Sequence, residues 1–463
     1  MIDLVIKDAD LIVTMDLDRK IVSGGAIAIL GDRIIALGKN DQIANQYLAK
    51  KTISAKGKIV MPGLVNCHMH TTQQLARGLA DGVTQPAWIH ERIYPYESHL
   101  TPEDAYLSAS AACLEMIKTG TTTFADPGGY NMEKVVEATV QSGLRAILAR
   151  SSMDISTSSR PLPSTIIETT QSVVERAEEF VKFYQGAGNG RIVPAFSLRI
   201  VRVCSDELCQ RISDLSSKYH SLIEVHASST KQSIEACKEI FGMTDIERLE
   251  SLGILGPRVL AIHMNWPTDQ EIETVRMRDV KVCHCPTTSP TAGAYGSFAV
   301  GKFPEMIRKG ILVCLGCDAA ACSHFLDMFR VMYQTIYFRD VRLDPFIMPP
   351  ETVLEMATIN GAKALGLDMD IGSLEPGKKA DIILVNRWES EFVPCHNPIS
   401  NLVHACCGHC VSTVLVDGNI LMSDRKVQSL DEKTIAKEAQ QAAKAVAARA
   451  GLDSKALPKW PIL

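Results

Sequence analysis

The chain has 463 residues, of which 46% are hydrophobic, and it carries a formal net charge of −5. This much apolar material predicts a large buried core, and the mildly acidic balance gives no indication of nucleic acid or an anionic membrane as a partner. The first residues mix acidic with apolar side chains, and no apolar run reaches the ~18 residues of a membrane span. We therefore expect a cytoplasmic protein with neither a signal peptide nor a membrane helix. The 14 cysteines are scattered irregularly, which argues against a disulfide framework.

Both ends of the chain have the residue composition and spacing typical of short β-strands. Over residues 1–58 the runs LIVTM, AIAIL and RIIALG are rich in β-branched residues and are separated by Gly and Asp. Over residues 366–425 the runs ADIILVN, STVLVDGN and ILMSD have the same character. Neither end supplies a full sheet, so we predict that the two ends pair into one small β-sandwich domain. Residues 426–463 are predicted to form a helical extension, with an alanine-rich helix at about 431–448.

Residues 59–365 alternate apolar, strand-like runs with helical segments. Eight such units predict an α/β fold, a distorted (β/α)8 TIM barrel inserted between the two β-rich ends. The strand-like runs are IVMPGLVNCH, TTTFAD, RAILARSS, IVPAFSL, LIEVHAS, VLAIHM, VKVCHCP and ILVCLGCD.

One helix is well marked by its ends. Thr101 can cap it, Pro102 suits its first position, and Glu103 and Asp104 favour its positive N-terminus. Apolar residues recur through YLSASAACLEMI, and Gly120 is a typical residue for the end of a helix. The sequence therefore predicts a helix between Thr101 and Gly120.

Histidines and an aspartate at strand ends predict a metal site. The segment PGLVNCHMH places His68 and His70 two residues apart, so that in a strand both side chains face the same way. His226, His263 and Asp318 end the runs LIEVH, VLAIH and ILVCLGCD. Because the carboxyl ends of barrel strands form the active-site face, we expect these five residues to converge. Nitrogen ligands with one carboxylate suit zinc or ferrous iron, and such an ion lowers the pKa of a bound water to near 7.

Several longer segments resemble the amidohydrolase superfamily, namely PGLVNCHMH, LEMIKTGTTTFAD, VCHCPTTSP, GCDAA and ATINGAKALGLDMDIGSLEPGKKADIILV. The closer likeness is to the branch that contains the guanine, 8-oxoguanine and S-adenosylhomocysteine deaminases and the triazine hydrolases. By this resemblance His68, His70, His226 and Asp318 bind one divalent metal, Zn²⁺ first and Fe²⁺ as the alternative. The resemblance further implies that His263 contacts the reacting water or the substrate, and Asp318 can also accept the proton of that water.

Four residues match positions near the substrate in that branch. Gln73 completes HxHxxQ, whose amide contacts the heterocycle in guanine and 8-oxoguanine deaminases. Arg199 has the spacing of an arginine of guanine deaminases and suits a ring carbonyl or enolate oxygen, with a surface arginine as the alternative. Trp88 matches a ring-stacking or pocket-lining residue, with simple packing as the alternative, and His284 matches a histidine near the substrate.

One catalytic position departs from the branch. Its deaminases carry a Glu three residues after the fifth-strand histidine, where the carboxyl group shuttles protons, whereas this chain has Ser229. Ser229 can orient water or substrate but cannot transfer protons unaided near neutral pH. Glu224, deeper in the barrel, and Glu235, further along the chain, are poor replacements. Either the substrate needs no protonation, or a residue such as His263 or Asp318 transfers the proton, or catalysis has been lost.

Three functions remain open. The first is hydrolytic deamination of an amino-substituted, oxo-bearing N-heterocycle (guanine-, pterin- or triazine-like) with release of ammonia, which Gln73 and Arg199 favour. The second is displacement of chloride, alkylamine or thioether from an activated ring, which Ser229 favours. The third is a non-catalytic relative, which the complete ligand set disfavours. The expected partner is a small heterocyclic substrate, and the resemblance implies a homodimer or homotetramer.

Overall fold

Two β-sheets organise the chain in the computed structural model, which describes residues 1–84, 87–156, 161–288, 301–344, 346–456 and 460. The strands of these residues, numbered in chain order, are β1 Ile2–Val13, β2 Ile21–Leu30, β3 Arg33–Lys39, β4 Ala49–Ser54, β5 Lys58–Pro62, β6 Leu64–Asn66, β7 Thr121–Asp126, β8 Arg145–Ala149, β9 Ile192–Ile200, β10 Ile223–Ala227, β11 Val259–His263, β12 Lys281–His284, β13 Val313–Leu315, β14 Ile382–Asn386, β15 Val411–Val416, β16 Asn419–Ser423 and β17 Lys426–Val427.

Helices connect most of the strands. The α-helices span Asn40–Gln46, Tyr94–Ser98, Pro102–Lys118, Met132–Ser142, Thr170–Tyr184, Asp206–Tyr219, Lys231–Phe241, Asp245–Ser251, Asp269–Met277, Phe303–Arg308, Ala320–Ser323, Met328–Thr335, Tyr337–Arg342, Pro350–Met356, Ile359–Ala364, Pro398–His404 and Glu432–Arg449. Shorter helical turns cover Thr71–Ala76, Trp88–Ile93, Ala187–Gly190, Val201–Val203, Pro286–Thr288, Gly408–Cys410 and Asp453–Ala456. Within the described residues, none of these helices is both long enough and apolar enough to cross a membrane.

Eight parallel strands, β6 to β13, follow one another in chain order around a barrel. Backbone bonds join the first and last of them, since the Cys67 N–H donates to the Leu315 carbonyl at 2.9 Å and the Asp318 N–H donates to the His68 carbonyl at 2.9 Å. Each of the eight predicted runs contains one of these strands. The predicted (β/α)8 barrel is therefore confirmed.

The remaining strands, from both ends of the chain, form one mixed sheet. Its order is β17-β16-β15-β14-β5-β1-β2-β3, with β4 paired to β1. The two ends meet where β14 runs antiparallel to β5, with Leu384 opposite Val60. This sheet includes β5 and β17, so it extends a few residues beyond the limits at 58 and 425 that the sequence indicated.

Gly63 separates the two sheets. The predicted run IVMPGLVNCH contains two strands, because β5 ends in the mixed sheet at Pro62 and β6 begins in the barrel at Leu64. A Cβ atom at Gly63 would overlap the side chain of Thr122, so only glycine fits this close approach. The chain can therefore pass from one sheet to the other within a single residue.

The helix Pro102–Lys118 agrees closely with its sequence signals. The Thr101 hydroxyl accepts from the Asp104 N–H at 3.2 Å, and the Asp104 carboxylate accepts from the Thr101 N–H at 2.9 Å, which completes a capping box. The C-terminal helix Glu432–Arg449 packs against it with a buried alanine face and pairs Arg449 with Asp104. The C-terminal extension is thus docked on the barrel rather than free at the surface.

Replacing Thr101 with Ala removes the side-chain cap from this helix. We expect the free energy of unfolding to fall by about 1 kcal/mol, since one backbone N–H loses its partner at the N-terminus. Thr101→Ser retains the hydroxyl and is the matched control. Chemical denaturation of the three proteins measures the effect, and equal stability of Thr101→Ala and the unmodified protein would contradict the capping role.

Candidate active site

The five side chains expected at the metal site lie together at the carboxyl ends of barrel strands. His68 and His70 follow β6, His226 lies in β10, His263 ends β11 and Asp318 follows shortly after β13. His226 is half-buried and the other four are buried. The structure therefore brings together residues that are up to 250 positions apart in the chain, the distance between His68 and Asp318.

Asp318 lies at the centre of this group. Its Oδ1 is 3.5 Å from Nε2 of His68 and 3.7 Å from Nε2 of His70, whereas its Oδ2 is 3.7 Å from Nε2 of His263. The ring of His226 stacks parallel to that of His70, with the ring centroids 5.4 Å apart. The two oxygens of one carboxylate thus face different histidines.

These separations fit ligands around one cation. Two atoms that lie about 2.0–2.1 Å from the same ion in a tetrahedral site are about 3.4 Å apart, whereas a direct hydrogen bond would bring N and O to about 2.9 Å. Nε2 of His68 is buried and has no hydrogen-bond partner among the described residues. The ligand atoms of His68, His70 and His226 lie within 4.8 Å of one another, as do those of His68, His263 and Asp318. The donor set therefore fits a divalent metal.

Burial and charge set the ionisation of the cluster. Burial lowers the pKa of His70 and His226 well below the usual range, and the charge of His68 lowers both further, so these imidazoles are neutral. Burial alone would raise the pKa of Asp318, but its contacts with His68 and the neighbouring histidines outweigh burial and hold that pKa well below its usual range. His70, His226 and Asp318 thus have the protonation states that metal binding requires. At His68 burial alone would lower the pKa, but Asp318 and Glu224 outweigh burial and raise that pKa well above the usual range, so this imidazole must release its proton when a metal binds.

The local backbone aims Asp318 and His263 at the centre of the site. The backbone angle φ is positive at both residues, +59° at Asp318 and +78° at His263. Residues other than glycine rarely adopt this backbone conformation. The Ala319 N–H donates to Oδ1 of Asp318 at 2.7 Å, and the Thr288 hydroxyl donates to Oδ2 at 3.1 Å. Such a conformation costs about 1–3 kcal/mol per residue and is typical of functional sites. Sequence reasoning missed Thr288, because no motif links it to Asp318.

A cavity of about 640 Å³, its open mouth included, adjoins the cluster. It brings together the predicted residues Gln73, Trp88, Arg199 and Ser229 with the metal-site group. The other described residues that line it, unforeseen from the sequence, are Ile89, Ile200, Arg202, Thr230 and Thr288. Asp318 is the only carboxylate among the described residues of its wall.

His284 does not reach this wall as far as the described residues define it. Its side chain is fully buried, and its ring packs on Phe303 with centroids 3.9 Å apart and near Phe338 with centroids 5.5 Å apart. Burial lowers the pKa of His284 to about 3, so the ring is neutral. The ring of His284 is therefore packed among aromatic side chains in the described structure, and its place near the substrate stays a prediction from the resemblance.

Glu97 holds Gln73 and Arg199, the two polar residues expected to contact the substrate. Its Oε1 accepts from Nε2 of Gln73 at 2.9 Å and from Nη2 of Arg199 at 2.8 Å, and all three side chains are buried. Oε1 of Gln73 and Nη1 of Arg199 have no hydrogen-bond partner within the described parts of the chain. One buried acceptor and one buried donor thus have no partner among the described residues, and both belong to residues that line the cavity. Sequence reasoning missed Glu97 because it is 102 residues from Arg199 in the chain.

Glu224 lies on the opposite side of His68 from Asp318. Its Oε2 is 3.9 Å from Nδ1 of His68, and burial raises the pKa of Glu224 to about 7. As predicted from its strand position, Glu224 lies deeper in the barrel and is absent from the described cavity wall. It contacts the site through His68 alone and does not replace the missing Glu at position 229.

Glu97→Gln tests the buried pair with Arg199. Removing the carboxylate leaves a buried guanidinium without its countercharge, so we expect the free energy of unfolding to fall by about 3–5 kcal/mol. The double variant Glu97→Gln/Arg199→Leu removes both charges, and we expect it to regain most of that loss. Thermal and chemical denaturation measure both values. A Glu97→Gln protein as stable as the parent would show that the pair does not carry this energy.

Comparison with known proteins agrees with the fold. A 5'-deoxyadenosine deaminase of Methanosarcina acetivorans is 35% identical over 451 residues, which cover 97% of this chain and 100% of the relative. A 5-methylthioadenosine/S-adenosylhomocysteine deaminase of Pelotomaculum thermopropionicum is 33% identical over 444 residues, 96% of this chain and 98% of the relative. The structure of an adenosine deaminase from Xanthomonas campestris with bound zinc superposes with a TM-score of 0.89 at 26% identity, over 96% of this chain and 99% of that one.

The model of the amidohydrolase family matches residues 59–421, which span the whole barrel and most of the returning sheet. This match and the full-length relatives confirm the resemblance that the sequence motifs indicated. The chain is a hydrolase that belongs to the amidohydrolase family.

Proposed function

We propose that this protein is a metal-dependent hydrolytic deaminase of an amino-substituted N-heterocycle, with an aminopurine nucleoside as the first candidate. The observation that carries the proposal is the convergence of four side chains beside a cavity, namely His68, His70, His226 and Asp318. His263 faces the second oxygen, Oδ2, of the Asp318 carboxylate. The names of the full-length relatives, which are adenosine-type deaminases, support the same reaction class.

His68, His70, His226 and Asp318 would hold the ion. Three imidazole nitrogens and one carboxylate oxygen suit Zn²⁺, with Fe²⁺ as the alternative, and the zinc in the solved adenosine deaminase supports the first. A divalent ion bound there would lower the pKa of a water molecule to about 7 and so would supply a nucleophile at neutral pH.

The reaction requires two proton transfers. When water adds to the ring carbon and the amine leaves, one proton of the water ends on a ring nitrogen and the other on the departing ammonia. Oδ2 of Asp318 faces His263 at 3.7 Å and accepts from Thr288 at 3.1 Å. Because Asp318 is the only carboxylate in the described cavity wall, we assign the proton transfers to Asp318 and His263, with Ser229 orienting water or substrate.

The wall opposite the ligands would bind the ring. Trp88 offers an aromatic face, and Gln73 and Arg199 offer an acceptor and a donor that the described residues leave unpaired. Glu97 holds both polar groups in place through its Oε1. Paired donors and acceptors of this kind suit the edge of an amidine or lactam ring.

Metal content and ammonia release together test the proposal. We expect about one zinc or iron per chain in the purified protein, and we expect His68→Ala to lose both the metal and ammonia release from aminopurine nucleosides. His409→Ala changes an exposed histidine outside the site and is the control. Full ammonia release by a metal-free, folded His68→Ala protein would refute the assignment.

Ser229→Glu tests the division of labour in proton transfer. A carboxylate at the cavity wall adds a general acid, which typically accelerates such steps by about 10²–10⁴-fold where it is missing. We therefore expect faster ammonia release from neutral aminopurine nucleosides. Ser229→Gln has nearly the same size without the charge and is the control. Ammonia release no faster with Ser229→Glu than with Ser229→Gln would contradict this expectation, and it would mean that Asp318 and His263 transfer the protons without help from a group at position 229.

Displacement of chloride, alkylamine or thioether is the second candidate. Ser229 favours it, because chloride leaves without a proton and the described cavity wall offers no carboxylate beyond Asp318. The two candidates differ in their products. Release of halide or alkylamine from an activated ring, without ammonia from any amino-heterocycle, would favour the second.

A further inference from the structure

Arg202 is a second arginine in the wall of the cavity, and its charge is not used by the proposed reaction. It lies in the helical turn Val201–Val203 directly after β9, and it is 7% exposed. Its Nη1 donates to the hydroxyl of Ser233 at 3.1 Å, which is the hydrogen bond that the described residues supply to its guanidinium. A buried arginine that contacts a cavity without a countercharge is costly and uncommon.

The two arginines of the cavity differ in their electrostatic state. Arg199 is paired with Glu97 at 2.8 Å, whereas no carboxylate among the described residues forms an ion pair with Arg202. Burial raises the pKa of Asp245, and the charge of Arg202 lowers it in part. No ion pair joins the two side chains, however, and Oδ2 of Asp245 accepts from the Ser228 N–H at 2.8 Å. The neighbouring Ser229 and Thr230 are uncharged. The guanidinium of Arg202 therefore lines the cavity without a direct ion pair to any carboxylate of the described residues.

The backbone that carries Arg202 is firmly held. Arg248 donates to the carbonyl of Val201 at 2.6 Å and to that of Cys204 at 2.9 Å, on either side of Arg202. The charge of Arg248 is in turn paired with Asp206 at 2.5 Å. Arg202 is thus placed by a rigid turn rather than by a mobile loop, which is how proteins build sites for specific anions.

We propose that Arg202 binds an anionic oxygen of the substrate, so that the enzyme acts on an acidic amino-heterocycle. This inference rests on the proposed function and specifies its substrate class. The anion is a planar oxyanion, either a carboxylate substituent or a deprotonated ring oxygen, because both match the donor geometry of a guanidinium. Ser229 then has a second role, since a carboxylate there would repel such a substrate.

Binding of reaction products tests the inference without turnover. Calorimetry on the zinc-loaded protein measures the dissociation constants of inosine and inosine-5'-carboxylate. A second series measures the dissociation constants of oxopurines at pH values below and above the pKa of their ring. We expect one anionic product to bind at least about tenfold more tightly than its neutral partner. A preference for the carboxylate identifies a substituent, and a preference that appears only above the ring pKa identifies a ring oxygen.

Variants locate the preference at Arg202. We expect Arg202→Gln to reduce the ratio of the affinities for the anionic and the neutral product to about onefold, and Arg202→Lys to keep part of this preference. We expect Ser229→Glu to abolish the preference. Thermal denaturation checks that the Ser229→Glu protein stays folded. Arg211→Gln, on the helix Asp206–Tyr219 and outside the described cavity wall, is the control. Equal affinity for neutral and anionic products, or a preference that survives Arg202→Gln, overturns the inference. Metal-dependent ammonia release would still support the proposed function in that case, and its absence would refute that function separately.

Discussion

Closure of the barrel between its first and last strands is the constraint on which the site depends. The bonds from Cys67 to Leu315 and from Asp318 to His68 join β6 to the end of β13. They bring the residues after the first strand against the residue after the last. Without closure, His68 and Asp318 would lie at opposite edges of an open sheet, and the ligand set could not form.

Two buried arginines of the described residues are held by carboxylates and support the architecture. Arg145 at the start of β8 donates to Asp381 at 3.0 and 3.2 Å and pairs with Asp417 at 2.5 Å, which ties the barrel to the mixed sheet. Glu97 pairs with Arg199 in the same way. Arg202 has no such ion pair among the described residues. This difference from Arg145 and Arg199 is the reason for proposing that Arg202 binds an anionic oxygen of the substrate.

The mixed sheet joins the strands that precede the barrel to the strands that follow it. β5 and β14 are neighbours, so the barrel is inserted between two halves that pair antiparallel. Gly63 lets the first half pass directly into β6, where a larger residue would meet Thr122. The candidate ligands His68 and His70 therefore follow a strand whose position is fixed by both sheets.

The sequence alone determined the barrel, the helix that begins after Thr101, and the residues of the metal cluster, because period, capping and strand-end position are local signals. It could not determine the roles of Glu97, Thr288 or Arg202. Those depend on contacts between segments far apart in the chain, which no local pattern encodes. For the same reason the sequence did not indicate that the ring of His284 packs on Phe303, a residue of the helix Phe303–Arg308.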